Sequence, residues 1–175
     1  MSNQIIKTIK IFLASSSELK EDREQFEIFI NRKNKEYIKQ EIFLELVIWE
    51  DFLDAMSATR LQDEYNNAIR ECDIVVSLFK TKVGQYTEEE VMTAYETFQE
   101  NNKPLIFTYF KEAQINVSQV NLEHLQSLHI FKDKLSNLGH FYTAYKSIED
   151  LKYQFGEQLI KLIPDLTNQK EKKKR

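Results

Sequence analysis

The chain has 175 residues, of which 42% are hydrophobic and 30% are charged, a balance typical of one globular domain with a full core. No apolar run reaches the about 18–20 residues that span a bilayer, and the single cysteine, Cys72, excludes an internal disulfide and a multi-cysteine metal site. The net charge of −4 argues against nucleic-acid binding, and we expect a cytoplasmic protein with no membrane partner.

The predicted elements alternate between strand and helix along the whole chain. Apolar runs predict strands, in chain order, at residues 8–14, 42–49, 73–79, 105–110 and 141–145. Apolar positions at helical spacing predict helices between and after them at residues 18–34, 59–71, 88–101, 122–138 and 148–163. This alternation is typical of a parallel sheet with helices on both faces.

The C-terminal end differs in composition from the rest of the chain. Residues 170–175 carry five positive charges and one negative charge, and such runs are usually disordered. We therefore expect one domain over residues 1–166, followed at 167–175 by a basic tail or the start of a linker.

Several common catalytic motifs are missing from the sequence. The first strand–helix turn holds serines where a dinucleotide-binding or Walker loop needs glycines. These serines also lack the G-x-S-x-G elbow of serine hydrolases. The three histidines have no helical i,i+4 pairing, so we expect no metal site and no bound cofactor.

Polar and aromatic side chains follow the first three predicted strands. Because the carboxyl ends of parallel strands meet along one edge of a sheet, we expect these side chains to line one crevice. Hydroxyls, aromatic rings and carboxylates suit the phosphate, base and ribose of a nucleotide. The candidate binding residues are Ser15, Ser16, Ser17, Trp49, Glu50, Tyr86 and Thr87.

Three consecutive glutamates stand at the predicted start of the third helix. Thr87 and Glu90 have the spacing of a capping box, in which the Glu90 carboxylate would bond the helix terminus. In the other interpretation Glu90 projects into the crevice, because it lies on the inner stripe of the helix. Glu88 and Glu89 are rotated towards solvent and are interpreted as solvated cap charges.

The other candidates also have two interpretations each. The serines at 15–17 either cap the first helix, with Glu18 as a capping-box partner, or contact phosphate. Trp49 either packs at the edge of the core or stacks on a base. Glu50 belongs to a solvated loop or contacts ribose, and Tyr86 stacks on the ligand or covers the helix end.

Four segments together resemble TIR-like domains. Residues 10–23, KIFLASSSELKEDR, resemble the opening strand, serine loop and first helix of that family. More narrowly, they resemble the bacterial TIR-like modules at the N-terminus of signalling NTPases and repeat proteins in antiphage defence. Three further segments follow in the order and spacing of that group, and they are CDIVVS at 72–77, GQYTEEE at 84–90 and KPLI at 103–106.

The resemblance implies both a fold and an activity. The fold is a flavodoxin-like three-layer α/β sandwich with a mostly parallel five-stranded sheet of order 2-1-3-4-5. The activity is cleavage of the nicotinamide–ribose bond of NAD⁺, which is a substrate and not a cofactor, with Glu90 at the position of the catalytic glutamate. Thr87, Glu90 and Ala94 also match the Thr-x-x-Glu and following alanine of nucleoside deoxyribosyltransferases.

The resemblance also implies partners. TIR domains form homo-oligomers through TIR–TIR contacts, and modules of this group are fused to or partnered with a sensor or NTPase domain. The leading hypothesis is an NAD⁺ nucleosidase that becomes active on self-association. Two alternatives stay open, a non-catalytic TIR-type interaction module and a nucleotide-binding sensor or transferase.

Overall fold

The computed structural model describes residues 6–48 and 61–172. Within these ranges five strands and five α-helices alternate, and none of the helices is both long and apolar enough to cross a membrane. The elements are β1 (Lys7–Ser15), α1 (Lys20–Tyr37), β2 (Ile42–Val47), α2 (Leu61–Glu71), β3 (Ile74–Phe79), α3 (Gln85–Asn101), β4 (Leu105–Lys111), α4 (Leu122–Asn137), β5 (Thr143–Tyr145) and α5 (Ile148–Lys172).

The strands form one sheet in the order β2-β1-β3-β4-β5, and all four neighbouring pairs are parallel. This confirms the predicted flavodoxin-like α/β fold and its strand order. The chain passes from β1 outward to β2 and then crosses to β3 on the other side of β1. The carboxyl ends of β1 and β3 therefore flank the point where the order reverses, which is where open α/β sheets bind ligands.

Side chains of alternate residues in β3 point to opposite faces of the sheet. Ile74, Val76 and Leu78 belong to the larger apolar cluster, which also contains Phe26 of α1 and Phe155 of α5. The intervening residues of β3 face α2, α3 and α4. Because helices cover both faces, every residue of β3 is buried, as expected for a central parallel strand.

The last helix is longer than the sequence predicts. The apolar spacing predicts an end at residue 163, but α5 continues to Lys172. Leu166 and Thr167 are both buried, and the Lys170 ammonium hydrogen-bonds the backbone carbonyl of Thr8. Part of the predicted basic tail is therefore a helical turn that packs on the amino edge of the sheet.

Asp73, just before β3, holds several elements together at that edge. Its carboxylate accepts hydrogen bonds from the Lys103 and Lys170 ammonium groups, both at 2.7 Å, and from the backbone N–H of Lys10 at 2.9 Å. Burial opposes ionisation of this side chain, but the bonds from the two lysines outweigh it and hold the pKa of Asp73 below its ordinary value. The charge thus links β1, the turn before β4 and α5.

Replacing Asp73 by Asn should lower the free energy of unfolding at pH 7 by about 2–3 kcal/mol, because two ammonium groups lose their charged partner. Since folding lowers the pKa of Asp73, its stabilisation is complete above the ordinary value of 3.8 and is lost as the pH falls through the lowered value. Urea unfolding between pH 2.5 and 7 measures both effects. The exposed Asp133→Asn variant is the control, and an equal response of the two variants would contradict this role.

Candidate active site

A cavity of about 300 Å³ lies at the carboxyl ends of β1 and β3, between the serine loop and the start of α3. It brings together six of the eight predicted site residues, namely Ser15, Ser16, Ser17, Tyr86, Thr87 and Glu90. The other two, Trp49 and Glu50, lie outside the described residues. The ligand contacts of Trp49 and Glu50 therefore stay predictions. The same holds for the binding and catalytic roles of the six residues that line the cavity.

Glu90 is placed by the register of α3. The helix begins at Gln85 after the extended residue Gly84, whose carbonyl accepts a hydrogen bond from the backbone N–H of Glu88. Thr87 therefore lies inside the first turn and Glu90 in the second. The capping-box interpretation is wrong, because Thr87 is not the N-cap residue and Gly84, which is, has no capping side chain.

The Glu90 side chain is withdrawn from water while it lines the cavity. The residue is 7% exposed, and burial raises the pKa of its carboxyl to about 7. A hydrogen bond from the Gln62 amide works against this rise in pKa, and the nearby charge of Glu89 adds to it. A carboxyl that changes its charge near neutral pH can give or take a proton under physiological conditions.

A polar network between α2 and α3 positions the Glu90 carboxyl on the side that faces α2. The Gln62 amide donates to the Asn66 side-chain oxygen at 3.2 Å, and the Asn66 amide donates to the Glu89 carboxylate at 2.9 Å. The spacing of Gln62 and Asn66, four residues apart on the buried face of α2, was the signal for this network.

Glu88 and Glu89 differ from the solvated charges that the sequence predicted. The Glu88 carboxylate is 2.8 Å from the Lys134 ammonium of α4, and the Glu89 carboxylate accepts the bond from Asn66. Both side chains are half-buried, and neither lines the cavity. Of the three glutamates, Glu90 alone reaches this cavity, because the helix turns the other two towards α4 and α2.

The serine loop makes specific contacts but does not cap α1. Ser15 accepts a hydrogen bond from the buried Arg23 guanidinium at 2.8 Å, and the buried Ser16 hydroxyl donates to the Glu18 carboxylate at 3.3 Å. Ser17 is exposed and begins a short 3₁₀ turn, so the N-cap residue of α1 is Leu19. The capping interpretation of the serines is therefore wrong.

Glu18 joins the two loops that border the cavity. Its carboxylate accepts hydrogen bonds from the hydroxyl and backbone N–H of Thr81 and from the backbone N–H of Lys82. Burial works against ionisation, but these bonds prevail and lower the pKa of Glu18. The sequence interpretation made Glu18 a capping residue, since nothing local indicates a partner more than sixty positions away. Its charge instead fixes the loop that carries Lys82, which lines the cavity.

The wall formed by α3 also offers an accessible aromatic ring. Tyr86 is 60% exposed, whereas the neighbouring Thr87 is buried at 6%. The exposed ring stands beside the cavity, where it can contact a ligand. Within residues 6–48 and 61–172 no three His, Cys, Asp or Glu side chains come together in an arrangement that would hold a metal ion.

Glu90→Gln should stabilise the fold at alkaline pH. The native state keeps the Glu90 proton up to about pH 7, whereas the unfolded chain releases it near the ordinary value of 4.5. The native state therefore binds more protons between these values, and its stability falls as the pH rises through that window, by about 3 kcal/mol in total.

The measurement is the difference in unfolding free energy between wild type and Glu90→Gln at pH 4.5 and pH 8. The unfolding free energy of Glu90→Gln should increase relative to that of the wild type as the pH rises. The exposed Glu96→Gln on the same helix is the control and should show no such gain. A pH-independent difference between Glu90→Gln and wild type would contradict the burial of this carboxyl.

Comparison with known proteins identifies the family of the chain and two structures to which it has some similarity. The structure is similar to that of CMP N-glycosidase BcmB from Clostridium botulinum, with a TM-score of 0.49 and 15% identity over 84% of this chain and 98% of that one. It is also similar to a conserved protein from Enterococcus faecalis V583, with a TM-score of 0.47 and 13% identity over 87% of this chain and 100% of that one. No curated protein matches the sequence. Residues 10–160 match the domain of unknown function DUF4062, and the chain belongs to that family.

Proposed function

We propose that this domain hydrolyses the N-glycosidic bond of a nucleotide, with NAD⁺ as the substrate and Glu90 as the catalytic carboxylate. One observation supports this above all others. The Glu90 carboxyl lines a cavity at the carboxyl edge of the sheet, and its burial raises its pKa to about 7. A site of this kind combines ligand access with a group that is ready for proton transfer.

Cleavage of NAD⁺ requires the ionised form of Glu90 and does not require a proton donor for the leaving group. The bond between ribose C1′ and the nicotinamide nitrogen breaks, and the electron pair stays on nicotinamide, which leaves as a neutral molecule. The remaining ribosyl group is an oxocarbenium-like cation, as in glycoside hydrolysis. An ionised Glu90 beside C1′ stabilises this positive charge, and it does so strongly because water is largely excluded from the side chain.

Water completes the reaction at C1′. Its oxygen forms the new bond to carbon, and its proton passes to the Glu90 carboxylate and then to solvent. The products are nicotinamide and ADP-ribose. A base is most effective when its pKa lies near the working pH, which a carboxyl of ordinary pKa does not achieve.

The rest of the cavity is suited to the rest of a nucleotide. Lys82 supplies a positive charge for phosphate, and the hydroxyls of the serine loop add hydrogen-bond donors. The exposed ring of Tyr86 is available to a base. Trp49 and Glu50 keep their proposed contacts with a base and with ribose hydroxyls.

The resemblance to TIR-like modules extends the proposal to the biological setting. We propose that the domain acts in the cytoplasm as an effector in antiphage defence, together with a fused or partnered sensor or NTPase domain. Contacts between copies would then raise its activity.

NAD⁺ hydrolysis by the purified chain tests the proposed reaction. Glu90→Gln should lower kcat by about a hundredfold or more, because the neutral amide neither stabilises the ribosyl cation nor takes a proton. The assay runs over a series of protein concentrations, since activity per chain should rise as the copies associate. Glu96→Gln is the matched control. Wild-type turnover in Glu90→Gln would remove Glu90 from the mechanism, and no turnover at any concentration would contradict NAD⁺ as the substrate.

The pH profile separates the carboxylate role from an acid role. If the ionised form of Glu90 is required, kcat/KM for NAD⁺ should rise with pH around a midpoint near 7, the pKa of the carboxyl in the unliganded protein. Gln62→Met removes the amide hydrogen bond that lowers the pKa of Glu90, so the midpoint should move to higher pH. Asn67→Ala on the exposed side of α2 is the control.

A profile that falls with pH would contradict the carboxylate role. Such a profile is expected for a nucleotide with an uncharged base, such as CMP, because that base leaves as an anion unless an acid protonates it. Running CMP beside NAD⁺ under the same conditions therefore distinguishes the two kinds of N-glycosidic cleavage.

A further inference from the structure

A second cavity, of about 370 Å³, lies at the carboxyl ends of β3, β4 and β5. The loop after β3 borders both cavities, because Lys80 and Thr81 line this one and Lys82 and Gly84 line the one that contains Glu90. The volume falls within the range of about 300–1,000 Å³ that is usual for small-molecule sites. None of the residues that carry the proposed cleavage reaction lines it.

The wall of this second cavity is mainly apolar. Phe110, Val120 and Leu128 line it, and so do Ile115 and Leu125, which are 43% and 38% exposed. Partly exposed apolar side chains in a concave surface leave part of the cavity wall in contact with water. An apolar or aromatic group that enters the cavity would cover this surface, which favours binding.

Three lysines bring positive charge to the same cavity. Lys111 is paired with Asp22 of α1 at 2.8 Å, and its charge is therefore compensated. Lys132 lies over the ring of Phe110 at 4.7 Å from the ring centre. In the part of the chain that the structure describes, neither Lys80 nor Lys132 forms a salt bridge.

The remaining polar groups do not cancel this charge. One carboxylate, Glu112, also lines the cavity, while His124 at the start of α4 adds a further nitrogen donor or acceptor. Two lysines without a salt bridge and one carboxylate therefore line the cavity, in a protein whose net charge is −4. A concave surface with apolar walls focuses such a local positive field and attracts anions.

We propose that this cavity binds a small organic phosphate with an apolar or aromatic body, of the size of a nucleoside monophosphate. Lys80 and Lys132 hold the phosphate, and the body rests on the apolar wall beside α4. The site is separate from the Glu90 cavity and does not depend on the cleavage reaction. The two cavities share only the loop after β3, with Lys80 and Thr81 in one wall and Lys82 and Gly84 in the other.

Methyl NMR on the whole chain tests the proposal, with AMP as the probe. Adenosine and inorganic phosphate, the two parts of AMP, are titrated separately for comparison. AMP should shift the Leu125 and Leu128 methyl signals in a saturable way, and each half should bind at least about tenfold more weakly. The Lys80→Ala/Lys132→Ala variant should weaken AMP binding by about tenfold or more. The control is Lys35→Ala/Lys161→Ala, which removes two exposed charges elsewhere.

The outcome does not depend on the proposed catalysis, because Glu90→Gln should leave the Leu125 and Leu128 shifts unchanged. Three results would overturn the inference. The first is AMP shifts confined to the methyl signals of Ala14 and Thr87, which line the Glu90 cavity. The second is unchanged AMP affinity in Lys80→Ala/Lys132→Ala, and the third is adenosine binding as tightly as AMP.

Discussion

The removal of one carboxyl group from water is the constraint on which the candidate active site depends. Glu90 lies in the second turn of α3, and its burial at the edge of a cavity makes the charged form costly. A buried carboxyl of this kind lowers the stability of the fold at neutral and higher pH. Such a loss of stability is common at functional sites, because catalysis uses buried ionisable groups whose pKa is shifted.

Three carboxylates of this domain show how surroundings decide what a group can do. Asp73 and Glu18 both lose water, but lysine ammonium groups around the first and N–H and hydroxyl donors around the second keep the pKa of each below its ordinary value. Glu90 has one amide donor and a neighbouring glutamate, and its pKa rises. The first two carboxylates hold strands and loops in place, whereas the third can bind or release a proton near neutral pH.

The fold was predictable because its signals are local and repeated. Apolar runs alternating with amphipathic segments indicated a parallel sheet, and the resemblance to TIR-like domains supplied the strand order that the structure confirms. The extension of α5 was not predictable, because Lys170 lies in a basic run whose partner, Asp73, is 97 positions away. Helix starts were also misplaced, because Gly84 and Leu19 end the preceding loops without capping side chains.

The sequence indicated which residues meet at the candidate site, but not which side chains they bond there. The rule that ligands bind at the carboxyl ends of strands placed the serine loop and Glu90 together. The spacing of Gln62 and Asn66 indicated their mutual contact, but Gln62 and Glu18 also bond Glu90 and Thr81 in other elements. No local pattern indicates those two partners. DUF4062 is a family of unknown function, so the proposed chemistry is argued from the surroundings of Glu90.

The most direct test is an NMR titration of the Glu90 side-chain carboxyl carbon in the wild-type chain, with Glu90→Gln to assign its signal. The account predicts a midpoint near pH 7, and a change in that midpoint when ADP-ribose fills the cavity. A midpoint at the ordinary value of about 4.5, unaffected by ADP-ribose, would show a solvated carboxyl and contradict the account.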